Sequence, residues 1–195
     1  MRKQFKNSDS SAKDIEYIKD GDNSALREIL FKEQKGFCAY TETYLGRTDQ
    51  KDIDHFNPLK DYRERNNYLN LFLCKSQWNK EKSNKWKDFQ PVLSPLTIDF
   101  EERVSYNKEL KLFEATLEND DDAKNLVKLL KLDNYDLSVE RKKYVELCHE
   151  LIKNFDSPTH YFKKVIQTNI NNLQFIRSIE IEFKIDIWNM IPELV

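Results

Sequence analysis

The stretch Asp52-Ile53-Asp54-His55-Phe56, followed by Asn70-Leu71 and then Cys74-Lys75-Ser76-Gln77-Trp78-Asn79-Lys80-Glu81-Lys82, decides the reading of this chain. It sets out in order an Asp-His pair, an asparagine in mid-motif, and a last asparagine followed closely by lysines. That is the layout of a one-metal phosphodiesterase site. Such chemistry needs a water deprotonated near neutral pH and a divalent cation that takes up the charge developing on phosphorus and on the leaving oxygen. His55 suits the first task, because an unperturbed imidazole titrates near pH ~6.5. Asp54 and Asn79 suit the second, since both carry hard oxygen ligands for Mg²⁺ or Mn²⁺. On an extended strand Asp54 and His55 point to opposite faces, so a shared site demands a local irregularity.

The residues Phe37-Cys38-Ala39-Tyr40, Ile53-Asp54-His55-Phe56-Asn57-Pro58, Asn70-Leu71, Cys74, Asn79 and Lys82 resemble the HNH endonuclease family with its ββα-metal finger. The run Phe31 to Tyr40 and the helical tail are similar to the HNH nucleases of Septu-type and retron-associated anti-phage defence systems. The likeness covers residues 25–90 well and 91–145 loosely. It implies that His55 is the general base, that Asp54 and Asn79 hold the metal, and that Asn70 fixes the loop around the histidine. Lys82 would contact phosphate. It further implies DNA as substrate and an ATPase as protein partner, docked through the segment from about residue 136.

The chain departs from the family at the zinc knuckles. Where relatives carry two Cys-x-x-Cys sets, this sequence reads Cys38-Ala39-Tyr40-Thr41 and Cys74-Lys75-Ser76-Gln77. Two thiolates with Thr and Gln make a poor tetrahedral site, so no structural zinc is expected. Cys38 and Cys74 are expected instead as small buried hydrophobes near one another.

The net charge of −2 excludes a protein that coats nucleic acid by bulk electrostatics. Positive charge is local: Lys75, Lys80, Lys82, Lys85 and Lys87 lie within residues 75–87, and Arg63 and Arg65 within the preceding loop. For an isolated run, a solvated helix face is the plainer reading. Beside Asp54, His55 and Asn79, the residues Arg63, Arg65, Lys80, Lys82, Lys85 and Lys87 read as phosphate contacts. No apolar run approaches a membrane span, no signal peptide is seen, and three cysteines suggest no disulfide framework. A cytoplasmic location is expected.

The fold class read from these patterns is α+β and mostly helical, with a ββα core carrying helical N- and C-terminal additions. Three segments are expected: a helical one at 1–36, the nuclease core at 37–90, and a mainly helical region at 91–195. Ser24 to Lys35 predicts a helix stopped by Gly36. Phe37 to Tyr44 and Lys51 to Phe56 predict a hairpin, Leu71 to Leu73 an extended piece, and Trp78 to Lys87 a helix bearing Asn79. Residues 98–116 predict two strands, and Ala123 to Leu132 a helix capped by the preceding aspartates. Tyr144, Leu147, Cys148, Leu151, Ile152 and Phe155 form one apolar stripe, and Phe162 to Ile179 another on a single long final helix.

Three functions compete. The first is a metal-dependent HNH endonuclease, the nuclease subunit of a defence complex. The second is a degenerate HNH nucleic-acid-binding or interaction module without catalysis. The third is a helical interaction subunit in which the motif is coincidental. Asp54, His55, Asn70 and Asn79 together favour the first.

Overall fold

The structure, a computed structural model, describes residues 1–194. It is α+β and mostly helical, with two separate two-stranded antiparallel sheets. After a short 3-10 turn at Ser11–Asp14, helix α1 spans Ser24–Glu33 and buries Leu26 and Leu30. Gly36 ends this segment at φ 83°, where a Cβ would come within 2.7 Å of the Tyr44 ring. Only glycine occupies that backbone without strain.

The chain then does not form the expected hairpin between 37–44 and 51–56. Residues 37–44 fold back on themselves, with one antiparallel bridge from Phe37 to Tyr44. The Cys38 amide donates to Thr43 O at 2.9 Å, and Glu42 sits at φ 57°. This knuckle has used its own backbone groups, so strand β1 (Lys51–His55) pairs elsewhere. Helix α2 (Tyr62–Arg65) lies in the intervening loop, and β1 pairs with β2 (Leu71–Lys75) in the register Ile53↔Leu73 and Asp54↔Phe72. Helix α3 (Ser76–Lys85) follows β2 directly.

The knuckle is fastened to β2 by two devices. The Ala39 amide donates to Leu73 O at 3.0 Å. The buried Gln34 carboxamide donates to Phe37 O and Leu73 O and accepts from the Leu73 amide, each at 2.8 Å. Cys38 and Cys74 are both buried free thiols.

Beyond a short helix α4 (Phe100–Arg103), strands β3 (Val104–Asn107) and β4 (Leu112–Ala115) form the second hairpin. Helix α5 (Asp121–Leu129) is capped by Asp120, whose carboxylate accepts from the Ala123 amide. Helix α6 (Tyr135–Ile152) buries Leu137, Arg141, Val145 and Cys148, whereas Leu147 and Leu151 of the expected stripe are 53% and 39% exposed. The single long final helix is a second correction: it divides into α7 (Pro158–Asn169) and α8 (Ile176–Phe183). Phe175 takes φ 55° at the break. Burying Leu173, Phe175 and Ile176 together outweighs helix continuity there.

One hydrophobic core runs from Met1 to Leu132 and encloses both β1 and β2. A second gathers Cys148, Phe162, Ile176, Ile179 and Ile187, with Phe37 joining it from the knuckle. The 51–85 unit lies within the first core, and the second reaches the knuckle through Phe37 and Tyr44. No helix among the described residues is long and apolar enough to cross a membrane.

Candidate active site

Strand β1 runs without a bulge from residue 51 to 55, so alternation places Asp52 and Asp54 on one face and His55 on the other. The irregularity that a shared Asp54–His55 site would need is missing. Each face has become a different environment.

The inner face is a polar seam between β1 and α3. Asp54 is 1% exposed. One carboxylate oxygen accepts from the Tyr40 hydroxyl, and the other meets Lys82 Nζ at 3.1 Å. Burial pushes this carboxyl up, and the Lys82 charge and the Tyr40 hydrogen bond pull it back. The same burial and the Asp54 charge hold the Tyr40 phenol well above its ordinary range. Lys82 also donates to His55 O at 2.8 Å and to Phe56 O at 2.9 Å. Its three donor positions are therefore filled. One turn earlier, Asp52 accepts from the Ser76 hydroxyl at 2.7 Å and from the Asn79 amide at 3.1 Å.

These contacts already engage three of the residues expected at the site. Lys82, expected to reach phosphate, is fully buried and holds the backbone of the motif histidine. Asp54, expected to hold a metal, has both oxygens committed to protein partners. Asn79 turns its amide to Asp52 rather than joining Asp54 and His55. Tested against Mg²⁺ or Mn²⁺, the donors Asp54 and Asn79 as arranged do not fit an ion shared with His55. Among the described residues, no group of three or more His, Cys, Asp or Glu side chains is placed to hold a metal.

The outer face carries His55 at the edge of an open cleft of about 270 Å³, lined also by Tyr17, Lys19, Tyr62, Arg65 and Asn66. The imidazole packs edge-on against Tyr17 at 4.6 Å between centroids. Its Nε2 lies 2.9 Å from Asn66 Oδ1. With the amide in this orientation, Oδ1 can only accept, so Nε2 carries the hydrogen and Nδ1 keeps its lone pair. Burial lowers the His55 pKa, and the Asn66 hydrogen bond and the Asp54 charge partly oppose it. The lowered pKa favours the neutral ring, the form a general base requires.

Asn70 determines the path of the loop between His55 and β2. Its Oδ1 accepts from the Asn57 amide at 2.9 Å, and its Nδ2 donates to Asn57 O at 3.1 Å and to Arg65 O at 2.8 Å. Its backbone carbonyl accepts from the Phe56 amide. One buried side chain thus ties both ends of residues 57–65 and presents Arg65 toward the His55 cleft. Of the other expected phosphate contacts, Arg63, Lys80, Lys85 and Lys87 are exposed and Arg65 is half-buried. Lys85 faces Asp88 at 3.7 Å.

Sequence reading missed Tyr17, Lys19 and Asn66. They come from two segments with no motif of their own, and only folding brings them to His55. It also missed Lys6, whose ammonium lies 4.4 Å from the ring centres of both Tyr68 and Phe72. Burial brings that amine down to about 7. Comparisons of the chain with protein-family models, with curated proteins and with solved structures found no match.

Proposed function

We propose that this chain is an HNH-type endonuclease in which His55 acts as the general base of phosphodiester hydrolysis. The observation that carries the reading is the place of His55, held at Nε2 by Asn66 Oδ1 and opening on a cleft beside Arg65 and Lys19. Nδ1 would take a proton from water, the resulting hydroxide would attack phosphorus, and the two cations would oppose the charge gathering on the phosphoryl oxygens. The P–O bond breaks and the leaving oxygen is protonated by solvent, giving a phosphate end and a hydroxyl end. Two further features support the family resemblance: the order strand, strand, helix over residues 51–85, and the Asn70 clamp on the loop that follows the histidine. With Asp54 committed to Lys82 and Tyr40, the expected Mg²⁺ or Mn²⁺ enters no step of this reading.

A non-catalytic nucleic-acid-binding or interaction module is the second reading. The commitment of Asp54 and Asn79 to the inner seam favours it, because a decayed metal site would leave those residues to packing. A plasmid-cleavage assay in Mg²⁺, Mn²⁺ and EDTA, with wild type and His55→Ala, separates the two. Cleavage that disappears in His55→Ala supports the nuclease, and the EDTA arm decides whether an ion is used. Absence of cleavage in every arm, with nucleic acid still bound, leaves the binding module. The family likeness extends the proposal to an anti-phage defence complex with an ATPase partner. The exposed Leu147 and Leu151 of α6 support docking through the C-terminal region.

A further inference from the structure

The nuclease reading leaves open how the substrate approaches His55. The α3 lysines were the obvious track, yet α3 packs against the Asp52 and Asp54 face of β1, and His55 belongs to the opposite face. A strand gripped by Lys80, Lys85 and Lys87 therefore lies on the wrong side of the sheet from the base.

The outer face offers another route. The His55 cleft shares Tyr62 and Asn66 with a larger one of about 780 Å³ that runs on toward Lys13 and Arg63. Lys6, Lys13, Lys19, Arg63 and Arg65 line the two clefts against only two acids, Asp14 and Glu16. Of these cations Lys13, Lys19 and Arg63 are exposed, and Lys6 and Arg65 are half-buried. Tyr62 stands at their junction, 62% exposed, with its hydroxyl held by Glu16 at 3.0 Å and the Arg65 guanidinium 5.9 Å from its ring centre. Cations flanking exposed aromatic faces are what a single strand requires, since phosphates seek charge and unpaired bases seek a stacking surface. A duplex keeps its bases stacked on one another and gains little from Tyr62.

We infer that the joined clefts around residues 13–19 and 55–66 bind single-stranded nucleic acid, with Tyr62 stacking a base and Lys13, Lys19, Arg63 and Arg65 holding phosphates that lead to His55. This rests on His55 as the reacting centre, and the test distinguishes its failure from that of the path.

The experiment is fluorescence anisotropy on the full chain with a labelled single-stranded oligonucleotide and a hairpin duplex of the same sequence, titrated with salt. Wild type should prefer the single strand. Tyr62→Ala should weaken that binding about 5- to 150-fold, the range for losing one base–aromatic stack. Lys13→Ala/Lys19→Ala should make the slope of log affinity against log salt shallower by ~0.7 per lost contact. Lys85→Ala/Lys87→Ala should leave the slope unchanged. All these side chains are exposed, so the variants should fold. A slope lost only in the α3 variant, or affinity indifferent to Tyr62, overturns the path while leaving the nuclease reading standing. No binding of either oligonucleotide by wild type overturns both.

Discussion

The two faces of β1 carry residues of the same polar kind and do opposite things with them. On the inner face Asp54 and Lys82 are sealed from water, and each satisfies the other. On the outer face His55 keeps contact with solvent and retains an unengaged ring nitrogen. A single residue of offset along a strand separates them. Burial makes a polar group structural once all its partners are protein atoms, whereas a group that is to react must keep a position for substrate.

The sharpest way to break this contrast is His55→Ala. It should lower cleavage by about 10²–10⁴-fold, the usual scale of a general base, while urea unfolding shifts by only about 1 kcal/mol. Cleavage at the wild-type rate by the folded variant would remove His55 from the chemistry.

Lys82→Met should behave in the reverse way. It strands the Asp54 carboxylate and frees the carbonyls of His55 and Phe56, and breaking a buried pair by removing one partner costs about 3–5 kcal/mol. Adding Asp54→Asn should recover part of that loss. A Lys82→Met protein as stable as wild type in chemical denaturation would mean that the seam holds nothing together.

The pH dependence is a milder probe. Because burial lowers the His55 pKa in the folded chain, kcat/KM should rise with pH to a plateau whose midpoint lies below the unperturbed ~6.5. For stability the sign follows from proton uptake. Between the folded and unfolded pKa values only the unfolded chain binds the proton, so this histidine's contribution is lost as pH falls below ~6.5. Titration of the His55 ring protons by NMR checks both, and a midpoint above 6.5 would contradict them.

The smallest effect belongs to the rim of the seam. Ser76→Ala removes one hydrogen bond to a half-exposed Asp52 and should cost about 0.5–1.5 kcal/mol, with no change in cleavage. A loss as large as that of Lys82→Met would show that the whole seam acts as one unit.

What could be read from the chain alone was local. The stop of α1 near Gly36, the hairpin over 104–115 and the Asp120 cap of α5 follow from turn, strand and capping chemistry within a few residues, and each is present. The tie of Asn70 to the loop after His55 was implied by the family resemblance rather than by spacing, and Asn70 does bond to Asn57 and Arg65 of that loop. Tertiary structure alone decided the partner of β1, the burial of Asp54 and Lys82, the exposure of Leu147 and Leu151, and the break between α7 and α8. Periodicity says which residues share a face but not what covers that face. Lys82 and Lys85 stand one turn apart in the same basic run, yet the first is sealed against Asp54 and the second is open to solvent. That difference arises from where α3 lands on β1, a contact that no spacing within the helix encodes.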